Sequence, residues 1–132
     1  MHWKFDIDQR SLSRALDDRS VKSAKLAFPD KYPLRVDVLR GETPYVFSGK
    51  VKATLKVTNN QVGDALAENE TLVSAASTAN LVLNLATLEM QAFITKFGER
   101  PAVLEIMVQD STLGAEVASW PVSCDLSRRY ES

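Results

Sequence analysis

Residues 34–57 read LRVDVLRGETPYVFSGKVKATLKV, and the fold turns on how that stretch is parsed. Leu34, Val36 and Val38 alternate with Arg35 and Asp37; Val51, Ala53, Leu55 and Val57 alternate with Lys50, Lys52, Thr54 and Lys56. Period two sends successive side chains to opposite faces of an extended chain, so each run predicts a strand with one buried and one wet face. Between the runs, Gly41 permits tight or positive-φ geometry and Pro44 fixes a turn backbone. Tyr45 and Phe47 then share one side of the next strand. The stretch reads as strand, turn, strand, and its aromatics as contact residues rather than chemistry.

The same period recurs outward along the chain. Trp3, Phe5 and Ile7 alternate with Lys4, Asp6 and Asp8; Leu104, Ile106 and Val108 interleave with Glu105 and Gln109; Trp120, Val122, Cys124 and Leu126 interleave with Ser119, Ser123 and Asp125. Weaker strand signals lie in VKSAKLAF (21–28), TLVSAA (71–76) and NLVLNL (80–85), separated by turn-rich PDKYP, VTNNQVGDA and QDSTLGAE. Two segments depart from the period. QRSLSRALDDRS (9–20) is polar and reads as a helical turn or mobile arm, while LATLEMQAFITKFG (85–98) places Leu85, Leu88 and Ala92 on a helical stripe closed by Gly98 as a left-handed cap. The expected fold is all-β, an antiparallel β-sandwich of about eight to ten strands with one short helix. Residues 1–132 read as a single domain in which 127–132 is a polar tail or the start of a linker.

Composition agrees with an ordinary globular domain: 45% hydrophobic and 25% charged residues exclude disordered, collagen-like and coiled-coil classes. A chain of 132 residues buries roughly two thirds of its unfolded surface, enough for a core without staples. The net charge of -1 supplies no general field for nucleic acid or anionic lipid. It hides an asymmetry, because residues 1–66 carry 12 basic and 8 acidic side chains and residues 67–132 carry 4 and 9. If the two halves do not interleave, that polarity favours head-to-tail contacts. The opening MHWKFDIDQR lacks the apolar stretch of a signal peptide, and no window approaches the roughly 18 apolar residues of a membrane span. Cytoplasmic synthesis is expected.

Reactive groups are few. His2 is the one histidine, so a two-histidine metal site is out of reach and a histidine-supported triad would hang on a terminal residue. Cys124 has no partner for an internal disulfide and falls on an apolar strand face, where a thiol packs as a small hydrophobe. The carboxylates Asp17, Asp18, Glu68, Glu70, Glu105 and Asp110 show no spacing that makes an acid–base pair across a sugar. Gly41, Gly49, Gly63, Gly98 and Gly114 are isolated, form no phosphate-binding motif, and read as turns or caps. Neither an enzyme nor a cofactor is expected. Trp3 and Trp120 are placed inward, whereas Tyr45 and Tyr130 are the aromatics to consider for sugar stacking.

Taken in order, the strand at the start, the GETPY corner, the amphipathic strand Val51–Val57, the helix over Ala86–Ala92 and the hairpin Leu104–Val108 with Trp120–Cys124 resemble the N-terminal domain of phage baseplate upper proteins and related tail-fibre attachment domains. In that family a strand ends in a turn of the NGTPYDL type, matched here by Gly41, Thr43, Pro44 and Tyr45. The resemblance covers roughly residues 3–126; segment 9–20 and the long NNQVGDALAENETLVSAAS depart from it. It implies a structural role in the virion without catalysis: a module attaching a receptor-binding fibre or arm to the phage tail, in contact with other tail or baseplate proteins and assembled as a homo-oligomer, with a trimer favoured. Arg10 and Arg14 then become interface residues. The alternative reading is a carbohydrate-binding β-sandwich module using Tyr45 and Tyr130.

Overall fold

The computed structural model describes residues 1–57, 65–97, 101–111 and 114–128. They form β1 (His2–Asp6), β2 (Ser11–Arg14), β3 (Ser23–Phe28), β4 (Lys31–Arg40), β5 (Thr43–Pro44), β6 (Phe47–Val57), β7 (Ala67–Ala76), β8 (Thr78–Asn84), α1 (Leu88–Phe97), β9 (Ala102–Asp110), β10 (Ala115–Ala118) and β11 (Val122–Arg128). The fold is an all-β sandwich with one short helix. The first sheet runs β2-β1-β4-β5, with β8 also pairing β4; the second runs β3-β11-β9-β6-β7, with β10 also pairing β9.

Alternation in the sequence becomes the two faces of each sheet. Phe5, Leu34, Val36, Val38, Leu81 and Leu83 point inward from the first sheet, and Val51, Ala53, Leu55, Leu104, Ile106, Val108, Val122 and Cys124 from the second, into one core. Removing a Leu, Ile or Phe side chain of that kind from water contributes roughly 1.5–3 kcal/mol. On the outer face of the second sheet, Lys50 and Lys52 meet Glu70 (3.6 Å) and Glu68 (3.2 Å) across the β6–β7 pair. Exposed pairs of this sort steer register more than they stabilise.

Two pairings depart from the antiparallel plan. β1 lies parallel to β4, and β3 parallel to β11. Parallel neighbours need a crossover instead of a hairpin. Here the chain supplies it by visiting the opposite sheet: β3 intervenes between the first-sheet strands β2 and β4, so β4 returns beside β1 in the same direction.

Segment 9–20 is neither a helical turn nor a loose arm. Ser11–Arg14 pairs antiparallel with β1, Leu12 is buried, and the chain then turns through Asp18 at a φ of 59° before Ser20 bridges back to Ser13. Leu12 and Leu16, four residues apart in an otherwise mostly polar dodecamer, gave no alternation to read.

The helix is present with a shifted stripe. Thr87 caps it: its Oγ1 accepts from Met90 N (3.1 Å) and its carbonyl from Gln91 N (3.0 Å). Starting one turn in, the helix buries Met90, Phe93 and Ile94 under Leu85, while Leu88 is 80% exposed and Ala92 faces solvent. The expected cap at Gly98 lies outside the described residues, as do Gly63 and Tyr130.

Trp120 is not inward. Val122, Cys124 and Leu126 are buried as expected, yet Trp120 is 60% exposed. Ser119 explains the change of phase. It is 1% exposed, donates its N–H to Ile106 O (2.7 Å) and accepts from Ile106 N (3.0 Å) through its hydroxyl, and Pro121 follows without an N–H. The ladder breaks there, and the alternation restarts at Val122.

Candidate functional site

Three surface constellations hold the polar and aromatic groups that sequence singles out. The first is the corner after β4. Gly41 adopts a φ of 66°, and Tyr45 N donates to Val38 O (2.9 Å), so β5 folds back on β4. This carries Tyr45 over the seam between the sheets, where its hydroxyl donates to the Asp110 carboxylate at the end of β9. Asp110 is 5% exposed. The Tyr45 ring stacks on Phe47 with centroids 6.0 Å apart, and the Arg40 guanidinium stands 5.1 Å from its centroid while pairing with Asp8 at 3.3 Å. The hydrogen bond to Asp110 raises the Tyr45 pKa above its ordinary value, with burial adding to the shift. Tyr45 is thus half-buried, with its polar end and its ring both engaged. It ties the sheets together and is not an open stacking platform.

The second constellation lies on the outer face of the first sheet. Asp37 accepts from His2 Nε2 (2.6 Å), Thr78 Oγ1 (3.0 Å) and Arg35 Nε (3.3 Å). Burial by itself pushes its carboxyl up, but the hydrogen bonds from His2 and Thr78, with the charges of His2 and Arg35, together hold it below the usual carboxylate value. Nearby, Asp6 Oδ1 accepts from Asp8 N (3.0 Å), Gln9 N (3.4 Å) and Gly41 N (3.4 Å), and Lys4 pairs with Asp18. A shallow polar groove of about 560 Å³ opens between Lys4, Asp6, Ser13 and Glu42. Its aspartates are committed to lysine or to backbone N–H groups, which is the chemistry of a braced surface.

The third is a clasp across the rim. Arg10, at a φ of 58°, donates from Nε to Ala118 O (2.6 Å) and lays its guanidinium 4.4 Å from the Trp120 ring centroid. Trp120 returns two bonds, Nε1–H to Gln9 O (3.1 Å) and N–H to Arg10 O (2.9 Å). Arg10, expected at an interface, thus makes these contacts within the chain. Arg14 pairs with Asp17 at 3.1 Å in the turn after β2. Of the four residues singled out from sequence, Arg10, Arg14 and Tyr45 are not brought together, and Tyr130 lies outside the described residues. Trp120, placed inward by its period, is the functional candidate that sequence reasoning missed; Ser119 followed by Pro121 was the available signal.

Cys124 is fully buried, and desolvation, with Asp125 beside it, pushes its thiol up to about 12. A thiol so protonated is no nucleophile at neutral pH. Among the described residues, no group of three or more His, Cys, Asp or Glu side chains is placed to hold a metal ion, and no helix is long and apolar enough to cross a membrane.

No family model matches the chain, and no curated protein matches it. Among solved structures, it is similar to the extracellular domain of the voltage-gated sodium channel β4 subunit, with a TM-score of 0.37 and 6% identity over 83% of this chain and 92% of that one. Parallel homodimers of that domain are described as explaining the β4 subunit's role in cell–cell adhesion.

Proposed function

We propose that the chain is a non-catalytic attachment domain of a phage tail or baseplate, joining a receptor-binding fibre or arm to the virion through contacts with other tail proteins and with copies of itself. The observation that carries the reading is the corner Gly41–Tyr45. The turn residues behind the resemblance are the ones that fold β5 onto β4 and send Tyr45 to Asp110 in the opposite sheet. Such a tie stiffens the sandwich, and stiffness is what a mechanical connector requires. The turn after β2 supports the same reading. It is braced by Arg14 N–H to Arg19 O (2.7 Å) and Asp18 N–H to Arg14 O (2.9 Å), yet it presents Leu16 at 88% exposure. An ordered turn holds that apolar tip in one place, where a neighbouring copy or a tail protein can cover it.

Sedimentation over a concentration series, alone and with tail hub proteins of the same phage, tests the proposal. The expected result is a trimer or a stable hub complex that Leu16→Asp weakens. A monomer at every concentration that binds no tail protein would overturn it.

A further inference from the structure

We infer that the rim around Trp120 is a binding site for a single saccharide ring, stacked on the indole face opposite Arg10. This inference does not rest on the attachment role. A tryptophan left 60% exposed keeps much of its apolar surface in water, whereas Trp3 is buried. The ring is also immobilised. Its N–H groups go to Gln9 O and Arg10 O, and Arg10, itself fixed on Ala118 O, covers one face. With both donors satisfied inside the protein, what remains accessible is the carbon surface of the other face and the ring edge. A side chain already held in place loses little rotamer freedom on binding.

Beside the ring opens a groove of about 250 Å³, in which Ser11, Ser20 and Lys22 supply hydroxyl and ammonium groups next to Val21 and Pro121. That volume falls below the roughly 300–1,000 Å³ of sites for drug-sized ligands and suits one ring. A pyranose divides its surface as this site does: a C–H face that packs on the negative face of an aromatic, and hydroxyls around the rim for polar partners. A protein partner fits less well, because lysine is depleted at protein interfaces, while Lys22 stands in this groove. Tyr45 offers no equivalent, its hydroxyl and ring both being engaged.

The test is a ¹H–¹⁵N titration of the whole chain with methyl glycosides of glucose, galactose, mannose, rhamnose and N-acetylglucosamine. At least one is expected to shift the Trp120 indole N–H and the amides of Ser20–Lys22 saturably, with a dissociation constant of roughly 1–10 mM, and to leave the Trp3 indole unmoved. Trp120→Ala is expected to weaken binding about tenfold or more. Should that variant fail to fold without its clasp, Ser20→Leu, which fills the groove and leaves the clasp alone, is expected to abolish the shifts. Absence of a saturable shift with every glycoside, or shifts that survive Ser20→Leu, would each overturn the inference.

Discussion

Gly49 shows how one residue can be fixed by its neighbours. It sits in β6 where the register with β7 shifts, and a Cβ built there would stand 1.8 Å from the carbonyl oxygen of Gln109. Neither backbone can yield without breaking the β6–β9 ladder. Gly49→Ala is therefore expected to cost about 3 kcal/mol or more in urea unfolding. Sequence places this glycine in a turn, because close approach between strands far apart in the chain leaves no local trace. Asp37 makes a second residue-level case. Its folded pKa lies below the ordinary 3.8, so the stability it contributes is fully present above that value and is lost as pH falls through the folded one. His2→Ala takes away a bond that holds the pKa down, and the acid midpoint followed by circular dichroism is expected to rise. An unchanged midpoint would assign the network no role in stability.

At the scale of elements, Ser119 governs the passage from β10 to β11. Its buried hydroxyl is the partner of Ile106 N, so Ser119→Ala leaves a buried donor unsatisfied and is expected to cost about 1–3 kcal/mol. Ser123→Ala, on an exposed face, is expected to stay within about 0.5 kcal/mol. Parallel thermal melts of the two variants check both values. The same element shows where sequence is readable and where it is not. The long strands β1, β4, β6, β9 and β11 are legible because one buried face over several residues leaves a period of two. The strands β2, β5 and β10 are four residues or fewer and have no room to show a period. The phase of α1 was lost because Thr87, not Leu85, sets its start. The Trp120 rim was lost because one hydrogen-bonded serine reset the alternation.

For the molecule as a whole, Cys124 is a reporter built into the core. It is fully buried on β11, which packs between β3 and β9, and its thiol is held protonated. Thiol reagents are expected to leave the native protein unlabelled at neutral pH and to modify it at the rate of global opening. Labelling that is fast and independent of denaturant would show that β11 frays on its own. The fold class could be read from the chain because all the long periodic strands share one core; the pairing order could not, since alternation tells which face is buried but not which strand lies alongside.

That order has a temporal side. β1 lies between β2 and β4, and β11 lies between β3 and β9, so the first and last strands described are interior members of their sheets. During synthesis the second sheet remains split, with β3 waiting for a neighbour encoded about a hundred residues later, until residues 122–128 have left the ribosome. Pairings so distant carry a loop-closure cost before any contact repays it, and they place the chain among slow folders.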